Sequence, residues 1–164
     1  MRFVYCPKCG TKAVQKVVGD EGEMPWCESC QRPLFDMFST CVILLAVNQE
    51  GECALLRQGY ISHQYHNLVS GYIVPGESAE ECARRELEEE LGLVAEKLEF
   101  VRTWWYGRRD MLMIGFFAQV SKGELRLSGE VEEARWVPVQ EALDMVHPEG
   151  SVSHAMVKAW LDRA

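Results

Sequence analysis

No stretch of the 164 residues approaches the roughly 20 consecutive apolar residues that a membrane-crossing helix requires. The opening residues, Met1 to Gly10, also lack the apolar run of a secretory signal, so a soluble, cytoplasmic protein is the expectation. Positive charge is scarce: 17 Lys and Arg face 25 Asp and Glu, for a formal net charge of −8. The first 36 residues balance at five basic and five acidic, so the negative excess lies downstream of them. That argues against a broad footprint on a DNA or RNA backbone. A small phosphate-bearing substrate stays compatible, because divalent cations or a few arginines reverse the sign locally. Internal repeats, low-complexity tracts and strict βαβ alternation are all missing, and the last of these disfavours a doubly wound sheet.

Cysteine, by contrast, is plentiful. Four of the seven form the pairs Cys6-x-x-Cys9 and Cys27-x-x-Cys30, separated by 17 residues, while Cys41, Cys53 and Cys82 fall in apolar or helical settings. An odd count without a secretion signal favours reduced thiols and metal ligation over a disulfide framework. The spacing is that of tetrahedral structural zinc, and Gly10 after the first pair supplies the backbone freedom such a knuckle needs. Four thiolates fill the coordination shell and leave no position for a catalytic water, so the zinc is expected to be structural. The competing reading, two redox dithiols, needs a thioredoxin-like context that the sequence lacks. Residues 1–36, short of apolar runs, are therefore read as a compact, loop-rich zinc ribbon, and residues 37–164 as the main domain.

The main domain opens on Cys41 to Val47, an unbroken apolar run suited to a buried strand. Further strands are predicted around Cys53 to Arg57, Leu68 to Val74, Leu98 to Tyr106, Met111 to Val120 and Ala134 to Val139. A helix is predicted from Ser78 to Leu91, with Ser78 and Glu81 as a capping box and Gly92 as its stop. Two closing helices are expected at Val139 to Val146 and Val152 to Asp162. This order points to an α+β fold, a mixed-sheet α/β/α sandwich.

The segment from Gly71 to Leu93 reads GYIVPGESAEECARRELEEELGL. Charge runs of this kind are commonly solvated faces held by i, i+4 pairs, here Glu80 with Arg84 and Glu81 with Arg85. The helical wheel adds something else. Ala79, Ala83, Leu87 and Leu91 form an apolar stripe, Glu86 and Glu90 lie on its margin, and Glu89 falls about 60° beyond Glu86. Carboxylates crowded beside a buried face are costly without countercharge, and hard cations such as Mg²⁺ (or Mn²⁺), which prefer carboxylate and phosphate oxygens, are the natural compensation.

This segment resembles the Nudix box, GX5EX7REUXEEXGU with U aliphatic, through Gly71, Glu77, Arg85, Glu86, Leu87, Glu89, Glu90, Gly92 and Leu93. The resemblance covers roughly residues 38 to 164 and implies a Nudix sandwich that hydrolyses a diphosphate linkage. It implies that Glu86, Glu89 and Glu90 ligate catalytic metal, with one of them or a hydroxide it orients acting as base, and that Arg85 orients a neighbouring glutamate. A further ligand from outside the box is assigned to Glu130, with Glu132 and Glu133 as alternatives.

A zinc ribbon ahead of a Nudix domain is similar to the arrangement in bacterial NADH pyrophosphatases, which cleave NAD(H) to nicotinamide mononucleotide and AMP. That likeness also implies a homodimer. Where those enzymes carry SQPWPFPxS, this sequence reads Thr103-Trp104-Trp105-Tyr106-Gly107-Arg108-Arg109-Asp110-Met111. Trp104 and Tyr106, on one strand face by alternation, are candidates to stack on a base, and Arg108 to reach a phosphate. The other readings are hydrolysis of ADP-ribose, ADP-sugars or nucleoside triphosphates, and a non-catalytic nucleotide sensor whose ribbon contacts a protein.

Overall fold

The computed structural model describes residues 3–163, which form two compact units dividing between Ser39 and Thr40. The division falls three residues beyond the expected boundary at 36/37, because the chain runs without regular structure from Leu34 to Phe38 before the first long strand.

The first unit is a three-stranded antiparallel sheet, β1 (Val14–Val17), β2 (Glu23–Cys27) and β3 (Arg32–Pro33), with β2 central. These strands were not predicted. All four β1 residues are exposed, so no alternation marks it, and Pro25 sits inside β2, where proline ordinarily argues against a central strand. The apolar core here is small: Cys6, Cys27 and Leu34 are buried, with Phe3, Ala13 and Cys30 packed beside them. So little burial cannot by itself hold a unit of this size.

The second unit is built on a six-stranded sheet containing β4 (Ser39–Val47), β5 (Glu52–Arg57), β6 (Val69–Tyr72), β7 (Ala95–Tyr106), β8 (Met111–Val120) and β9 (Glu133–Pro138). Strand order is β7-β8-β4-β5-β9, with β6 pairing antiparallel to β4. The helices are α1 (Ala79–Leu91), α2 (Val139–Ala142) and α3 (Val152–Leu161). The architecture is the expected α+β sandwich around a mixed sheet.

Strand alternation divides the core into two layers. Val42, Leu44 and Ala46 of β4 and Ala54 and Leu56 of β5 point to one face and pack with Ala83, Leu87 and Leu91 of α1. Ile43, Leu45, Val47, Cys53 and Leu55 point to the other, against Val139 and Ala142 of α2 and Met156 and Val157 of α3. A strand buried on both faces reads as a continuous apolar run, which is why β4 was legible. The helix expected at Val139–Val146 stops after one turn, its last residues passing into hydrogen-bonded turns in which Met145 and Val146 donate to Ala142 O.

Two features place the site. Helix α1 starts on the predicted capping box, with Ser78 Oγ accepting from Glu81 N and Glu81 Oε2 from Ser78 N, and ends on Gly92 at φ +67°. The loop after β8 is strapped along the end of α1 by main-chain bonds, Arg126 N to Leu91 O at 2.9 Å and Ser128 N to Glu90 O at 3.3 Å.

Candidate active site

The acidic cluster is organised by one arginine. Arg85 Nε and Nη2 donate to the two oxygens of Glu77 at 3.1 and 2.8 Å, and Nη1 donates to Glu86 at 2.7 Å and Glu89 at 3.0 Å. Nη2 also reaches Tyr72 O at 3.2 Å, fastening the helix to β6. The Arg85 guanidinium holds the Glu77 carboxyl down at about 2, and Glu77 in turn raises the pKa of Arg85. Glu77 closes the loop that leads into α1 by accepting from Val74 N at 2.8 Å.

The three box glutamates differ in exposure as the wheel requires. Glu89 is exposed, Glu86 is half-buried and Glu90 is only 5% exposed. Burial raises the Glu86 carboxyl above its usual range, and burial pushes Glu90 up to about 7, against a lowering hydrogen bond from Gln58. Glu90 Oε1 accepts from Gln58 Nε2 at 2.7 Å. Its Oε2 makes no hydrogen bond among the described residues, although the backbone of Ser70 lies close enough to favour the ionised form.

Gly71, the first residue of the box, sits directly over Glu86. A Cβ there would lie far inside van der Waals distance of the Glu86 carboxyl carbon and both its oxygens, so only glycine lets the carboxyl occupy this place.

Glu130 lies on the strapped loop, its N–H donating to Ser128 Oγ at 3.3 Å. With Gly59, Tyr60, Gly129 and Glu132 it lines an open cleft of about 610 Å³. Tyr60 is the ring on the rim, 71% exposed; partial desolvation and then the negative charges of Glu130, Glu90 and Glu86 raise its phenol. Neither Gln58 nor Tyr60 is among the residues that the sequence motifs mark. Continuing the alternation of Ala54 and Leu56 one residue past the end of β5 puts Gln58 on the α1 face, a polar side chain at a core-facing position, and that signal is present in the sequence.

The aromatic candidates lie elsewhere. Trp104 is half-buried and packs in the α2/α3 layer, on the sheet face opposite α1, where a Cβ on Gly115 would meet its ring at 2.5 Å and Met156 Sδ at 2.7 Å. Tyr106 and Arg108 are exposed at the end of the β7/β8 hairpin. No hydrogen bond or ion pair among the described residues joins any of the three to the acidic cluster.

In the first unit, Cys6, Cys9, Cys27 and Cys30 bring their sulfurs within 4.8 Å of one another. Among the described residues this is the only such convergence of three or more His, Cys, Asp or Glu ligand atoms, so the carboxylates of the second unit are spread more widely. The Cys9–Cys27 and Cys6–Cys30 separations are 3.5 and 4.0 Å, bracketing the ~3.8 Å edge of a tetrahedron with metal–sulfur bonds of ~2.3 Å. All four thiols are free. The Thr11 hydroxyl beside Cys9 pulls its thiol down to about 6, while the Cys9 sulfur beside Cys30 pushes that thiol up to about 12, so without a cation the crowded sulfurs do not all ionise together. Each knuckle ends on a left-handed residue, Gly10 at φ +73° and Gln31 at φ +50°.

The NUDIX domain family model matches residues 37–161. The chain belongs to the Nudix family. Among curated relatives of this Nudix protein, the human NAD-capped RNA hydrolase NUDT12 is 27% identical over 98% of the chain, and the NAD-capped RNA hydrolase NudC of Chromobacterium violaceum is 28% identical over 94%. The chain spans 38% and 58% of the length of those two proteins. Among solved structures, a NUDIX hydrolase from Nitrosomonas europaea aligns with a TM-score of 0.71 at 18% identity, covering 98% of this chain and 92% of that one. The NUDIX domain of Shewanella oneidensis NrtR, complexed with ADP ribose, aligns at 0.66 and 16% identity, covering 84% and 93%. At these identities the structural likeness shows the fold alone. No helix among the described residues is long and apolar enough to cross a membrane.

Proposed function

We propose that this Nudix protein is a magnesium- or manganese-dependent pyrophosphohydrolase of a nucleoside diphosphate derivative, with NAD(H), cleaved to nicotinamide mononucleotide and AMP, as the favoured substrate. The observation that carries the proposal is Glu90: a carboxyl 5% exposed, bonded through one oxygen only, beside Glu86 and facing the field of Glu130. A buried carboxylate with an unused oxygen and negative neighbours is stabilised by a hard cation. Glu86, Glu89, Glu90 and Glu130 are the residues that would hold it. Such an ion supplies positive charge against the diphosphate oxygens and acidifies the attacking water.

The chain's own groups do the rest. Arg85 holds Glu86 and Glu89 by charge-assisted bonds, fixing their distance from Glu90. A carboxylate of the cluster accepts the proton as water oxygen bonds to one phosphorus and the bridging P–O bond breaks, its electron pair leaving with the second phosphate. Tyr60 on the cleft rim, and Tyr106 and Arg108 on the hairpin, are offered to the base and phosphates, whereas Trp104 is positioned to support the hairpin from beneath. The names of the NAD-capped RNA hydrolase relatives favour a nicotinamide dinucleotide. The four cysteines are assigned a structural zinc on their sulfur geometry, and a reducing compartment, the cytoplasm, suits them.

The test is a product-resolved assay of NADH, ADP-ribose, diadenosine polyphosphates and nucleoside triphosphates with Mg²⁺ or Mn²⁺. Magnesium-dependent release of AMP from NADH is expected. Preference for ADP-ribose or triphosphates would move the substrate within the family, and binding of ADP-ribose without turnover of any member would replace the enzyme by a nucleotide sensor.

A further inference from the structure

The Gln58 side chain is 1% exposed and meets α1 through a single hydrogen bond, Nε2 to Glu90 Oε1. Its own Oε1 has no hydrogen-bond partner among the described residues, and neither has Glu90 Oε2. Two adjacent buried side chains therefore each leave one of their two polar atoms unbonded. As a structural device this is poor, because an apolar residue of the same length would fill the space without stranding an acceptor.

The arrangement has a different logic if Glu90 must hold a fixed rotation. The amide grips one carboxylate oxygen and leaves the lone pairs of the other undistracted. The backbone beneath is equally fixed: Gln58 O accepts from Ile61 N at 2.9 Å and Ser62 N at 3.1 Å, a turn that carries Tyr60 to the cleft rim. Partners of this kind, one bond behind a ligand, set its orientation and hence its affinity for an ion.

We propose that Gln58 is the positioning residue of Glu90, orienting its free oxygen toward a divalent cation; this rests on the enzymatic reading above. Gln58 acts only through Glu90 and touches no reacting atom.

Gln58→Met keeps length and bulk while removing the donor, and Gln58→Asn keeps an amide too short to reach. Mn²⁺ binding to the zinc-loaded protein, followed by electron paramagnetic resonance, is expected to weaken about 10- to 100-fold in both. The metal concentration for half-maximal turnover should rise in parallel. The thermal midpoint of Gln58→Met should hold or rise, since an unsatisfied acceptor is gone, and KM for NADH at saturating metal should not move. The double variant Gln58→Met/Glu90→Gln should bind Mn²⁺ no more weakly than Glu90→Gln alone, because the amide has lost the group through which it acts.

Folded Gln58→Met or Gln58→Asn with wild-type Mn²⁺ affinity would overturn the proposal while normal wild-type turnover left the enzymatic reading standing. So would losses that multiply in the double variant. Wild-type protein that binds Mn²⁺ but hydrolyses nothing would remove the enzymatic reading, and the binding comparison would still decide the role of Gln58. Wild-type protein without Mn²⁺ binding would overturn both.

Discussion

Gly71→Ala tests whether the carboxyl of Glu86 has to lie where it does. The added methyl would fall inside the Glu86 carboxylate, and relief to an ordinary contact near 3.5 Å needs the carboxyl to retreat by roughly 1.5 Å. The Gly71 backbone is not left-handed, so alanine can adopt its φ, and replacing a strand glycine gains about 0.5–1 kcal/mol from the unfolded chain. Displacing Glu86 weakens its 2.7 Å ion pair with a partly exposed Arg85, which costs about 1 kcal/mol or less. The two offset, so the thermal midpoint should move by no more than a few degrees. Turnover should respond far more, since a misplacement of about 1 Å in a reacting array costs on the order of 100-fold. Calorimetry and magnesium-dependent NADH hydrolysis on the same preparation read both. Turnover within threefold of wild type refutes the placement of Glu86 in the reacting site. A midpoint lowered by more than about 10 °C would refute the reasoning differently, by locating the cost in the backbone.

Glu90→Gln should cut turnover by about three orders of magnitude and leave the fold intact, as checked by rate and circular dichroism together. Because burial raises the folded pKa of Glu90 from 4.5 to about 7, the folded state binds the extra proton between those values. Stability in magnesium-free buffer should therefore fall as pH rises through that window, by about 3 kcal/mol at most, and Glu90→Gln should flatten the profile. An unchanged slope in the variant would contradict the burial of that carboxyl. Cys6→Ser should lower zinc content below one per chain and lower the thermal midpoint more than it lowers the hydrolytic rate. Gln31→Gly, which relieves a left-handed non-glycine residue, should slow zinc release to a chelator, with a gain of about 1 kcal/mol or less; faster release would show that the Gln31 side chain matters more than its backbone.

The elements that the sequence announced are those whose signals are local. Ser78, Glu81 and Gly92 mark the ends of α1 because capping is a matter of neighbouring residues, and β4 is visible because both its faces are buried. The four cysteines are legible because two short spacings carry the geometry. What stayed hidden depends on partners distant in the chain. The exposed β1 and the proline-bearing β2 pair with each other, from Val14 opposite Trp26 to Val17 opposite Glu23, although neither carries a strand pattern of its own. Gln58 acquires meaning from Glu90, 32 residues on. That Trp104 packs in the layer of Met156 and Val157 is not legible in its own strand, because those residues of α3 lie far along the chain.

The loop that carries Glu130 is held to the last turn of α1 by its own amides, which bond to the carbonyls of Glu90 and Leu91. The spacing between the helical carboxylate and the loop carboxylate is therefore written into main chain that any side chain can occupy. Residues such as Leu127 and Gly129 are free to drift in identity while the gauge between the two acids is kept, and the Arg126 and Ser128 amides should exchange with deuterium as a pair, slowing together whenever an ion bridges the gap.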